Sequence, residues 1–174
     1  IVITNAPSSA AALTVENSYS STFVNDGTIS IEIGTGNVGD IVGVVFTDDF
    51  ETDARALNRG TIAAENNHVA GSPALATGML IDSDVSGEIE NSGTITATVN
   101  GEGASSTTAS AFGLSVTGDL LGSFINSGTI RVSSFADDFS FAGAVGLDFG
   151  GVSGELVNSE TITVTADSNG ISSG

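Results

Sequence analysis

One phrase returns five times along the chain. It runs Asn25-Asp26-Gly27-Thr28-Ile29, Asn58-Arg59-Gly60-Thr61-Ile62, Asn91-Ser92-Gly93-Thr94-Ile95, Asn126-Ser127-Gly128-Thr129-Ile130 and Asn158-Ser159-Glu160-Thr161-Ile162. Successive asparagines are 33, 33, 35 and 32 residues apart. A unit of that length is one supersecondary piece that cannot bury its own apolar face, so it must stack on its neighbours.

The repeat extends on both sides of the phrase. Two residues before each asparagine stands an apolar side chain: Phe23, Ala56, Ile89, Phe124 or Leu156. Four before it stands a small one: Ser21, Ala54, Gly87, Gly122 or Gly154. Two residues after the closing isoleucine come Ile31, Ala64, Ala97, Val132 and Val164. Alternation with period two on either side of a glycine-containing break reads as two short strands and a tight turn. A further strand recurs upstream as Ala12-Leu13-Thr14-Val15, Gly43-Val44-Val45-Phe46, Gly78-Met79-Leu80-Ile81, Gly113-Leu114-Ser115-Val116 and Gly146-Leu147-Asp148-Phe149. Its first residue precedes the asparagine by 13, 15, 13, 13 and 12 positions. The segments 34–41, 66–76, 100–111 and 134–144 vary most, as insertions confined to one corner of a solenoid do.

The expected fold is therefore all-β: a right-handed parallel β-solenoid with three short strands per rung and about five rungs, roughly 24 Å tall at 4.8 Å per rung. Residues 1–174 read as a single domain that begins and ends mid-rung. Ile1-Val2-Ile3-Thr4 resembles a third strand without its lead-in, and Asn169-Gly170-Ile171 the start of a sixth first strand. The opening Ile1 fits removal of a leader or excision from a longer protein. Such ends are expected to meet copies of the chain or adjoining repeats.

In this arrangement Ile29, Ile62, Ile95, Ile130 and Ile162 form one inward column, and the threonines beside them face outward. Asn25, Asn58, Asn91, Asn126 and Asn158 form another. An amide offers both donor and acceptor, so stacked asparagines are expected to bond one another in a ladder. Asparagine also tolerates left-handed turn positions, and the glycine two residues later would relieve the next one. Glu160 replaces that glycine, so the last rung is expected to form less perfectly at this corner.

Charge narrows the function. The chain carries 21 acidic residues against Arg55, Arg59 and Arg131 and no lysine, for a net charge of −18. Nucleic-acid binding requires a cationic surface, which this chain cannot build. No apolar run approaches the roughly 18–20 residues that span a bilayer, so no membrane insertion by this segment is expected. There is no cysteine, which excludes disulfides and thiolate metal sites.

The pattern small-x-apolar-x-Asn-x-Gly-Thr-Ile-x-apolar resembles the β-helical passenger repeats of bacterial autotransporters and related surface proteins, and it covers the chain from Ile3 to Ile171. The resemblance implies export across an outer membrane and an extracellular or cell-surface location. Members of that group act as adhesins, enzymes, cytotoxins or stalks.

Catalytic patterns are sparse. His68 stands in a polar loop without a Gly-x-Ser-x-Gly elbow, which reads as a solvated loop residue. Tyr19 is the sole tyrosine and there is no tryptophan, so sugar-stacking platforms are scarce. The chain is read as not an enzyme. Close carboxylates offer a calcium site: Asp48, Asp49, Glu51 and Asp53 are the densest group, with Asp82 and Asp84 and the pair Asp137 and Asp138 after it. The competing reading is a solvated acidic face. Phe135, Phe139 and Phe141 flank Asp137 and are expected to fold back over the rung. The threonine column suggests an ice-binding ladder, but Ala63 and Arg131 interrupt its companion column. The expected function is a structural module of an exported surface protein, a rigid stalk or stacked fibre. The alternative is an adhesin whose variable loops bind a glycan or protein, and a carbohydrate-active enzyme stands a distant third.

Overall fold

The computed structural model describes residues 1–4, 6, 9–16, 20–34, 39–67, 73–101, 108–137 and 141–169, and no helix occurs among them. Three parallel sheets run the length of the molecule. The first contains β1 (Val2–Ile3), β4 (Thr28–Ile33), β7 (Thr61–Asn66), β10 (Thr94–Gly101), β13 (Thr129–Asp137) and β16 (Ile162–Asn169), in that spatial order. The second contains β2 (Ala10–Val15), β5 (Ile41–Phe46), β8 (Ala74–Ile81), β11 (Thr108–Leu120) and β14 (Phe141–Val152). The third contains β3 (Thr22–Asn25), β6 (Arg55–Asn58), β9 (Glu88–Asn91), β12 (Ser123–Asn126) and β15 (Glu155–Asn158). Each rung contributes one strand to each sheet, so the chain is a β-solenoid.

Register follows the repeat. Ile29 pairs with Ile62, Ile62 with Ile95, Ile95 with Ile130 and Ile130 with Ile162. The core lies between the three sheets. Alternation along β10 puts Ile95, Ala97 and Val99 inside while Thr94, Thr96 and Thr98 face out. Burying one isoleucine contributes about 1.5–3 kcal/mol, more than the roughly 0.5–1.5 kcal/mol net of an ordinary hydrogen bond. The apolar columns therefore supply most of the stacking energy.

Two columns of glycine have a packing role. A Cβ on Gly78 would lie 2.5 Å from Ile95 Cγ2, and Gly43, Gly113 and Gly146 stand in the same relation to Ile62, Ile130 and Ile162. Ile62, Ile95, Ile130 and Ile162 of the first sheet thus fill the space that a glycine of the second leaves, within one rung. At the turn, a Cβ on Gly93 would lie 2.1 Å from the carbonyl oxygen of Gly60. The positive φ among the described glycines belongs to Gly39, at 147°. This corrects the expectation of a left-handed turn: the turn glycine is there because the backbone of the rung below comes too close for a side chain.

Two further differences have physical causes. The strands reach into the corner segments read as variable, because inward alternation continues through Ala109, Ala111, Ser134 and Ala136, all buried. A fourth, short column also closes the corner between the second and third sheets. Phe50 bridges to Val85 and Val85 to Leu120, all three buried. Phe50 packs edge-on against Phe46, ring centroids 5.4 Å apart, and Phe46 against Phe23 at 5.7 Å.

Candidate functional site

The asparagine column forms a continuous hydrogen-bonded ladder. Asn25 Nδ2 donates to Asn58 Oδ1 at 2.8 Å, Asn58 to Asn91 at 2.7 Å, Asn91 to Asn126 at 2.7 Å and Asn126 to Asn158 at 2.6 Å. The amide's second hydrogen also finds a carbonyl: Asn25 Nδ2 lies 3.1 Å from Thr61 O and Asn58 Nδ2 3.2 Å from Thr94 O. Asn25, Asn58, Asn91 and Asn126 are buried, so these bonds satisfy groups that water cannot reach. At Glu160 the corner is altered. Asn158 Nδ2 donates to Glu160 O at 2.8 Å, as Asn126 Nδ2 does to Gly128 O at 3.2 Å, but pairing with β13 resumes only at Ile162, leaving Thr161 outside the strand.

The acidic residues serve the corners. Asp48, Asp49, Glu51 and Asp53 are exposed on a segment anchored by the buried Phe50. Two extra residues in this segment account for the 15-residue offset of the second rung. Asp49, Glu51 and Asp84 border a depression of about 270 Å³. Asp84 Oδ1 accepts the Asp119 N–H at 2.8 Å, and Asp82 Oδ1 accepts the Thr117 hydroxyl at 3.0 Å. These two carboxylates brace one rung against the next. Asp137 ends β13, and Asp138 lies outside the described residues. Among the described residues, no three histidine or acidic side chains come together in a group that would hold a metal ion.

His68, Tyr19 and Phe139 lie outside the described residues. Phe135 is half-buried on β13. Phe141 is 67% exposed, against the expectation that it folds back over the rung.

The three arginines divide into two kinds. Arg55 Nη2 donates to Glu88 Oε1 at 2.5 Å, and this carboxylate, through the hydrogen bond first and its charge second, raises the guanidinium pKa further above its ordinary value. Arg59 Nη1 lies 3.5 Å from Asp26 Oδ1. Arg131 has no ion pair among the described residues. It lies at the centre of an outward grid on the first sheet, in register with Thr96 on β10 and Thr163 on β16. Along the strands the grid is completed by Thr94 and Thr98, by Thr129 and Ser133, and by Thr165. The in-register outward neighbours of Arg131 are thus all hydroxyls. A depression of about 300 Å³ lies here, bordered by Thr96, Thr98, Arg131, Ser133, Thr163 and Thr165. Sequence reading met Arg131 only as an interruption of a threonine column. The signal that marks it, two arginines paired across rungs and one not, requires knowing the register.

No protein-family model, curated protein or solved structure matches this chain.

Proposed function

We propose that the chain is a structural module of an exported bacterial surface protein, a rigid stalk that lengthens as rungs are added. The observation that carries this reading is the asparagine ladder running through five rungs, buried in the first four, inside three continuous parallel sheets. Side chains that satisfy one another from rung to rung stiffen the stack along its axis. The −18 net charge supports a role in the open, where repulsion keeps stacked β-structure from clumping sideways. The resemblance of the Asn-x-Gly-Thr-Ile rung to autotransporter passengers supports export and display.

Negative-stain microscopy of the purified chain tests the stalk. Straight rods one solenoid wide, joined end to end at higher concentration, are the expected result. Globular or irregular particles, or lateral sheets without axial order, would overturn it.

A further inference from the structure

The hydroxyl grid around Arg131 adds little to holding the rungs together: within it Ser133 Oγ donates to Thr98 Oγ1 across one rung at 3.3 Å. Its strands are already paired through the backbone, and its side chains face away from the core. We propose that this face is a binding site for a saccharide bearing a carboxylate, of the uronic or sialic acid type.

Arg131 supplies the charge recognition. In a chain of net charge −18 the other two guanidiniums are engaged by Glu88 and Asp26, and Arg131 is left facing solvent. The nearest acidic column on this face, Glu32 and Glu65, reaches no closer than two rungs, about 10 Å by strand spacing. A guanidinium presents a planar fork of donors that matches a carboxylate with two parallel bonds. The surrounding hydroxyls recur about every 4.8 Å across the strands and about every 6.6 Å along them. Each is both donor and acceptor, as each hydroxyl of a sugar is.

The same grid argues against a protein partner. Protein interfaces draw most of their energy from buried aromatic or aliphatic anchors in pockets, and the grid offers none. It also argues against a dense polyanion, which one arginine would attract and the rest of the molecule would repel. The larger depression of about 400 Å³ beside Arg55 is the weaker candidate for an acidic ligand, since Glu88 already occupies its guanidinium.

The test uses chemical-shift mapping and titration of the ¹⁵N-labelled chain with a sialylated trisaccharide, with trigalacturonic acid, and with the neutral sugars lactose and maltotriose. Sodium acetate at matched concentration measures simple anion binding. At least one acidic sugar is expected to bind in the millimolar range, with shifts centred on β10, β13 and β16, and at least about tenfold more tightly than the neutral sugars or acetate. Arg131→Gln should remove that preference, and Thr96→Val should weaken binding of the same sugar severalfold. Arg55→Gln should leave it unchanged, and thermal melts of each variant report whether the fold is intact. Equal binding of acidic and neutral sugars, equal binding of acetate, full binding by a folded Arg131→Gln chain, or no binding of either acidic sugar would each overturn the proposal.

Discussion

Asn91 accepts a hydrogen bond from Asn58 and donates one to Asn126, and it is fully buried. Asn91→Ala leaves a buried donor below and a buried acceptor above without their partners. Each such group costs about 1–3 kcal/mol, so a loss of about 2–6 kcal/mol is expected in urea denaturation. Asn91→Asp is the sharper probe. A carboxylate there accepts from Asn58 but has no hydrogen to give Asn126, whereas the protonated acid has one. Burial raises the folded pKa of the introduced carboxyl above its unfolded value. The variant should therefore recover stability as pH falls through that raised pKa and lose it as pH rises. A deficit that stays constant from pH 7 down to pH 4 would show that the column is not a working donor–acceptor ladder. The ladder was legible in the sequence because one residue type recurred at one position of a long period. Arg131 was not, because its meaning lies in neighbours a rung away.

At the scale of the element, the turn between the strands of the third and first sheets shows why reading glycine as conformation falls short. Gly27 and Gly93 occupy the same place in their rungs, yet a Cβ on Gly27 meets nothing within 4 Å, and one on Gly93 would lie 2.1 Å from Gly60 O. Gly93→Ala is expected to cost about 2 kcal/mol or more through forced displacement, and Gly27→Ala to stay within about 0.5 kcal/mol. Equal losses in thermal melts would mean that backbone freedom, not contact between rungs, selects the glycine. The three-strand rung and its isoleucine column could be read directly, since alternation and period agree over the whole chain. The corner column of Phe50, Val85 and Leu120 could not: Phe50 and Val85 are single bridging residues without alternation around them, Leu120 is the last residue of β11, and the Asp48–Asp53 insertion shifts Phe50 out of phase.

Across the whole molecule, stability is expected to be graded along the axis. The inward side chains of the central rungs are fully buried, while Leu156 and Val164 of the last rung are 43% and 45% exposed. In a stack where each rung touches only its neighbours, opening starts at the ends. Hydrogen exchange should be slowest in β7, β10 and β13 and faster toward β1 and β16; uniform protection would indicate a single all-or-none unit. Salt bears on the acidic corners at the same scale. With a net charge of −18, calcium and magnesium at about 1 mM should raise the melting temperature equally by screening. A rise of several degrees with calcium alone would mean that Asp48, Asp49, Glu51 and Asp53 do gather around an ion.

Each amide in the asparagine column points its N–H toward the next rung along the chain and its oxygen toward the one before. The side-chain dipoles therefore add along the axis, as peptide dipoles add along a helix. The solenoid is an arrow with two electrically different tips, one lined by an amide acceptor and the other by an amide donor. Further rungs, or a second copy, can extend that column only tip to tail. Two copies meeting by the same tip would set donor against donor or oxygen against oxygen.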